Sequence, residues 1–191
     1  MLKHIPNRDE ALALLIKYNQ NISLLNHAKS VEATMRHFAI LNGEVPDKWG
    51  IIGLVHDLDY EQFPERHCLK TQEILTAEGW DDEYIRAVMS HGWGVCTDVE
   101  PLTKLEKVLF TIDELTGLIT AVALVRPSKS ILEVEVRSVK KKWKEKQFAA
   151  GANREVITKG AEMLGIPLDE IIHETLEAMK TIAGEIGLAG Q

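Results

Sequence analysis

Residues 51–67 read IIGLVHDLDYEQFPERH. An apolar run, Ile51-Ile52-Gly53-Leu54-Val55, passes directly into a histidine beside an aspartate, then into Asp59, Glu61, Glu65 and a second histidine at 67. Polar and charged side chains set against a core are costly unless something pairs with them. The partner expected here is a divalent metal ion. Pro46 suits the first turn of a helix that carries Ile51 to Leu58. At 3.6 residues per turn, Ile51, Leu54, Val55 and Leu58 fall on one side of that helix, and His56 and Asp57 fall opposite, flanking the direction of Gly53. The missing side chain at Gly53 would leave room there for an ion.

Outward from this stretch, the chain reads as helices separated by Gly, Pro and Asn, with hardly any period-two alternation. Asn7 and Glu10 form a capping-box pattern for a helix over about 8–19, and a second helix is expected from Ile22 to Asn42, stopping at Gly43. Further helices fit about 66–78 (stopped by Gly79), 81–91 (opened by Asp81-Asp82) and 102–125 (between Pro101 and Pro127). In SILEVEVRSVKKKW, residues 130–143, the spacing of Ile131, Val134 and Val136 could pass for a short strand, but the lysines behind it favour helix. The last two are a helix opened by Asn153 and another from about Pro167 to Ile186. On the second helix Leu24, Ala28, Val31, Met35 and Phe38 make the apolar stripe, with His27 on its border and His37 facing away. Asp113 sits on the same kind of border beside Leu105, Leu109, Ile112 and Thr116.

The 191 residues are enough for one sizeable core, and 45% hydrophobic with 27% charged residues is the composition of a soluble globular protein. The most apolar run, Gly117 to Val125, is too short for a membrane span. The N-terminal stretch MLKHIPNRDEAL has no apolar h-region, so no secretory signal is expected. Only Cys68 and Cys96 are present, which suits a reducing cytoplasm. A net charge of −7 disfavours nucleic acid as a partner and leaves a small ligand as the default.

Each candidate ligand has an ordinary structural explanation: His27 as a hydrogen-bonded core histidine, Asp113 as half of an interhelical ion pair. Their order is harder to explain that way. His27, then His56-Asp57, then Asp113 on a later long helix resembles the H…HD…D pattern of the HD-domain superfamily of metal-dependent phosphohydrolases. The resemblance covers about residues 20–125, and the later helices look like those of an uncharacterised HDIG-type subgroup. It implies an all-α fold: an HD-domain helical bundle with additional C-terminal helices, one domain over 1–191 with its metal-site core at about 20–125 and an extension at about 126–191. It also implies His27, His56, Asp57 and Asp113 as metal ligands, with Asp57 also contacting the attacking water. Two imidazoles and two carboxylates suit Mn, Fe, Co, Ni or Zn better than Ca or Mg.

Some members of that superfamily hold a second metal with two further histidines, bridged by the aspartate of the pair. Here His67 and His91 are the candidates. His67 lies close in sequence to the pair, and His91 closes a helix at the end where the macrodipole would favour a surface imidazolium. Other subgroups place a Glu-Asp pair three and four residues after the aspartate; those positions here are Tyr60 and Glu61, leaving Glu61 as the candidate for proton transfer. Asp59 could also accept the proton, but a solvated acidic loop is the plainer reading for it. Arg126 and Lys129, just past the Asp113 helix, are the candidates for gripping phosphate, and the basic run Arg137 to Lys146 reads either as a phosphate-gathering rim or as a solvated helical face. Cys96 reads as an incidental thiol.

The function expected from the resemblance is hydrolysis of a small phosphate ester by metal-activated water, with a nucleotide among the candidates. The alternatives are a di-iron HD-type oxygenase and a non-catalytic, metal-stabilised binding domain. The expected partner is a small phosphorylated substrate in the cytoplasm, without a membrane, and a homo-oligomer is allowed.

Overall fold

The computed structural model describes residues 3–190, so Met1 and Leu2 of the N-terminal stretch lie outside the described residues. The described residues are all-α, with no strand among them: α1 (Arg8–Tyr18), α2 (Ile22–Leu41), α3 (Pro46–Leu54), α4 (Leu69–Ala77), α5 (Asp82–Ser90), α6 (Lys104–Leu124), α7 (Val136–Trp143), α8 (Arg154–Leu164) and α9 (Leu168–Thr181). Single 3₁₀ turns occupy Pro64–Arg66 and Ile131–Glu133. Local chemistry sets most of these boundaries. Asn7 and Glu10 cap α1 reciprocally, as do Thr103 and Glu106 at α6. Asn21, Asp81 and Asn153 each accept backbone N–H groups at the start of α2, α5 and α8. The stretch 130–143 resolves into the second 3₁₀ turn and α7, in line with its lysines.

The two long helices organise the packing. α2 lies against α3, α6 and α9, while α6 lies against α2, α5, α7, α8 and α9. Ala28, Val31, Met35 and Phe38 of α2 are buried, as are Leu105, Leu109, Ile112 and Thr116 of α6. Both stripes therefore face the shared core, and a residue on the border of either stripe faces the seam between them.

The region of the His-Asp pair differs from the expected helix. α3 ends at Leu54, four residues earlier than Leu58, and 55–62 form a series of tight turns. Hydrogen bonds change register there, with Leu58 N–H donating to Val55 O and Tyr60 N–H to Asp57 O. Distant side chains hold these turns. Asn19 Nδ2 donates to Leu58 O at 2.8 Å, and Asp59 N–H donates to Thr71 Oγ1 at 3.2 Å. Gly53 does not leave room for an ion either. A Cβ there would stand 2.9 Å from Met35 Cγ and 3.2 Å from Val31 O, so the glycine lets α3 press closely onto α2.

Candidate metal centre

Six side chains from five parts of the chain meet at the α2–α6 seam. His27 comes from α2, His56 and Asp57 from the turn after α3, His67 from the end of the first 3₁₀ turn, His91 from the C-cap of α5 and Asp113 from α6. The tight turn at 55–62, not a helical face, directs His56 and Asp57 to the seam.

The donor atoms fall into two groups. In the first, Asp113 Oδ1 lies 3.0 Å from His27 Nε2 and 3.2 Å from His56 Nε2, and the two Nε2 atoms are 3.2 Å apart. In the second, His67 Nε2 and His91 Nε2 are 3.3 Å apart and each is 3.4 Å from Asp57 Oδ1. Asp57 joins the groups, because its other oxygen, Oδ2, is 3.5 Å from His56 Nε2 and 3.7 Å from His27 Nε2. Two donors bound to one ion at about 2.1 Å and at right angles lie about 3.0 Å apart, so both groups have the spread that a cation needs.

The four imidazoles share one orientation. His56 Nδ1 donates to Gly53 O at 2.8 Å and His91 Nδ1 to Val88 O at 2.6 Å; a carbonyl only accepts, which puts the proton on Nδ1. His67 Nδ1 donates to Asp59 Oδ1 at 2.8 Å. The Thr116 hydroxyl gives its proton to Asp113 O, leaving its oxygen to face His27 Nδ1 at 3.4 Å. All four Nε2 lone pairs thus point to the common space, the arrangement that an imidazole ligand requires.

The charges point the same way. Burial acts to lower the His56 imidazole, but the carboxylates of Asp57 and Asp113 outweigh it and raise it to about 10. Desolvation pushes Asp57 up, yet His56 and His91 hold it below the usual carboxylate range. Asp113 is held down in the same way by His56 and His27. His67 is raised against its burial by the bond to Asp59 and the charge of Asp57. Protons on His56 and His67 offset the charge of the acids here, and a cation among the Nε2 atoms would do so in their place.

Several side chains lie elsewhere than the sequence reading put them. Glu61 is remote from the cluster: its carboxylate accepts the N–H groups of Gln20 (2.7 Å) and Asn21 (2.9 Å), closing the α1–α2 corner. Arg126 is engaged by Glu133, and neither it nor Lys129 lines the cavity over the cluster. The basic run is a solvated face, with Arg137 paired to Glu135, Lys140 to Asp169 and Lys142 to Glu145. His91 is 7% exposed and turned inward, so it does not take the surface position expected of it. Asp59 is fully buried rather than solvated, accepting both His67 Nδ1–H and Thr71 N–H. His37 pairs with Glu174 on α9, away from the cluster.

A cavity of about 570 Å³ opens over His27, Asp57, His67, His91 and Asp113. Its far wall is Ala149, Gly151, Ala152 and Val156, which the sequence reading did not connect with the site. Arg154 donates to the carbonyls of Phe148, Ala149 and Ala152 and folds this loop, while Glu114, beside Asp113, accepts Asn153 N–H at 2.9 Å and ties it to α6. The run of four small residues, Ala149 to Ala152, was the available signal of a loop that approaches something closely. Cys96 also lines the cavity; both cysteines are free thiols, and a hydrogen bond with Cys68 and the nearby His67 and His91 lower the Cys96 thiol to about 7. Cys68 Sγ is 3.8 Å from His91 Nε2, but the bond to Cys96 and burial push this thiol up, which keeps it neutral and unlike a thiolate ligand.

Comparison with family models, curated proteins and solved structures returned no significant match to this chain.

Proposed function

We propose that the chain is a metal-dependent phosphohydrolase with a two-ion centre, acting on a small phosphate monoester. The observation that carries this reading is the convergence of four Nε2 lone pairs on a space spanned by the two oxygens of Asp57. His27, His56 and Asp113 would hold one ion, His67 and His91 the other, with Asp57 between them. The ordered pattern of these residues, which resembles the HD-domain superfamily, supports hydrolysis as the chemistry.

Two divalent ions bound there would polarise a phosphoryl oxygen and bring the pKa of water from about 15.7 towards 7. The protein's own residues do the rest. Gly53 O, Val88 O, Asp59 and Thr116 fix the four ring orientations, so the ligand geometry is set before substrate arrives. The Ala149–Val156 wall and Leu24 flank the cavity and shed water from its sides. Tyr60 stands edge-on to His67, with ring centroids 5.1 Å apart, at the exposed rim.

The same six groups suit two irons, which is the basis of the oxygenase reading. Phosphate release from a panel of phosphomonoesters by protein loaded with Mn, Co or Ni tests the hydrolase. Dioxygen consumption by iron-loaded protein, with no phosphate release under either loading, would replace it with the oxygenase.

A further inference from the structure

Four glycines lie inside helices, and three have a steric reason to be there. A Cβ at Gly50 would meet the Arg36 side chain at 2.5 Å, one at Gly53 would meet Met35 at 2.9 Å, and one at Gly160 would meet Thr111 Oγ1 at 2.0 Å. Gly117 is the exception. It lies in the middle of α6 without a left-handed backbone, and a Cβ there would have nothing within 4 Å. A mid-helix glycine costs about 1 kcal/mol relative to alanine, so neither fold nor packing accounts for it. Gly117 is one turn beyond Asp113 and lines the cavity over the metal centre.

The remaining lining narrows what enters that cavity. Among the described residues that line it there is no Lys, Arg, Asn, Gln, Ser or Thr; apart from His27, Asp57, His67, His91 and Asp113, its polar members are Tyr60, Cys96 and Glu114. Two basic side chains of the segment that forms the wall are engaged elsewhere: Arg154 with three loop carbonyls, and Lys159 over the Trp93 ring. One phosphate could be neutralised by two divalent ions, but a second would face Glu114 with no further cation in the lining to pair it. Leaving such a group unpaired costs several kcal/mol. A nucleobase would likewise find too few donors and acceptors for its polar edge.

On the strength of the phosphohydrolase reading, we propose that the substrate is a monoester whose organic part is compact and largely apolar, and that Gly117 is the specificity residue that leaves room for it. His27 and Gly117 also border a smaller cleft of about 260 Å³ beside Ser23, Asn26 and Ser30. The Ser23, Asn26, Ser30 and Thr120 side chains of that cleft suit a polar group, so the apolar part is assigned to the larger cavity, where a side chain at 117 would narrow the space.

The test measures binding of inorganic phosphate, phenylphosphonate and adenosine monophosphate to the Mn-loaded full chain by calorimetry. Wild type, Gly117→Ala and Gly117→Leu are compared, with thermal melts as a check of folding. In wild type, phenylphosphonate binds about tenfold or more tightly than adenosine monophosphate; in Gly117→Leu, phosphate affinity is kept and phenylphosphonate affinity falls about tenfold or more. Gly117→Ala melts at or above wild type and shows a smaller loss in the same direction. Equal effects on phosphate and phenylphosphonate, or none on either, overturn the role of Gly117; preference for adenosine monophosphate overturns the apolar substrate. Failure of all three probes to bind wild type overturns the phosphohydrolase reading itself and this inference with it.

Discussion

Asp59→Asn separates the two halves of the metal centre. Asp59 is fully buried, with one carboxylate oxygen 2.8 Å from His67 Nδ1 and the other 2.8 Å from Thr71 N–H. The carboxamide keeps its carbonyl for Thr71 and turns its NH₂ toward His67. His67 Nδ1 must then accept, the ring proton moves to Nε2, and the lone pair that faces Asp57 and His91 is lost. Loss of such an orienting partner costs about 10–100-fold in metal affinity, or about 1.4–2.8 kcal/mol. His27, His56 and Asp113 are not bonded to Asp59, so the first position should keep its affinity. A competition titration of Zn against a chromophoric chelator resolves the two sites: one step shifts by the stated amount and the other stays. Equal weakening of both steps, or of neither, would refute the division of the cluster by Asp57.

Three further outcomes are expected. Glu61→Ala leaves metal content and turnover unchanged but removes the acceptor of two backbone N–H groups, costing about 1 kcal/mol, or about 2–4 °C in melting temperature for a chain of this size; a loss of turnover with full metal content would return Glu61 to the site. Gly160→Ala drives a Cβ into Thr111 at the α6–α8 contact and destabilises by about 1–3 kcal/mol in chemical denaturation, whereas an unchanged midpoint would show that the helices part freely. Metal uptake depends on pH because metal and proton compete for the same Nε2 atoms: with metal-free His56 raised to about 10 and Asp57 and Asp113 held ionised, apparent affinity rises from pH 6 to 9 by about tenfold per unit for each proton displaced. Affinity that is flat over this range, measured by the same competition titration, would contradict the protonation pattern.

Much of the fold was legible because its signals are local. The capping pattern of Asn7 and Glu10, the stop at Gly43 and the stripes of α2 and α6 each depend on residues within a few turns, and the border positions of His27 and Asp113 follow from those stripes. The end of α3 was not legible, since Asn19 and Thr71, which hold the turn after it, are 39 residues from Leu58 and 12 from Asp59 respectively. Gly53 misled for the same reason: a glycine shows missing volume, while the Met35 that fills it belongs to another helix. Asp59 and Glu61 sit two residues apart in one acidic stretch, and only the tertiary fold turns the first inward to His67 and the second outward to Gln20 and Asn21. Arg126 and Lys129 were chosen for proximity along the chain to Asp113, yet the α6 axis carries them away from the cavity, and the wall comes instead from residues 149–156.

Metal content of the purified full chain after loading with Mn or Zn and desalting, counted per polypeptide, tests the two-ion centre most directly. Two ions are expected in wild type and in His37→Ala, one in His27→Ala and one in His91→Ala, and close to none in Asp57→Ala. Wild type without bound metal, or an Asp57→Ala protein that still carries two ions, would contradict it.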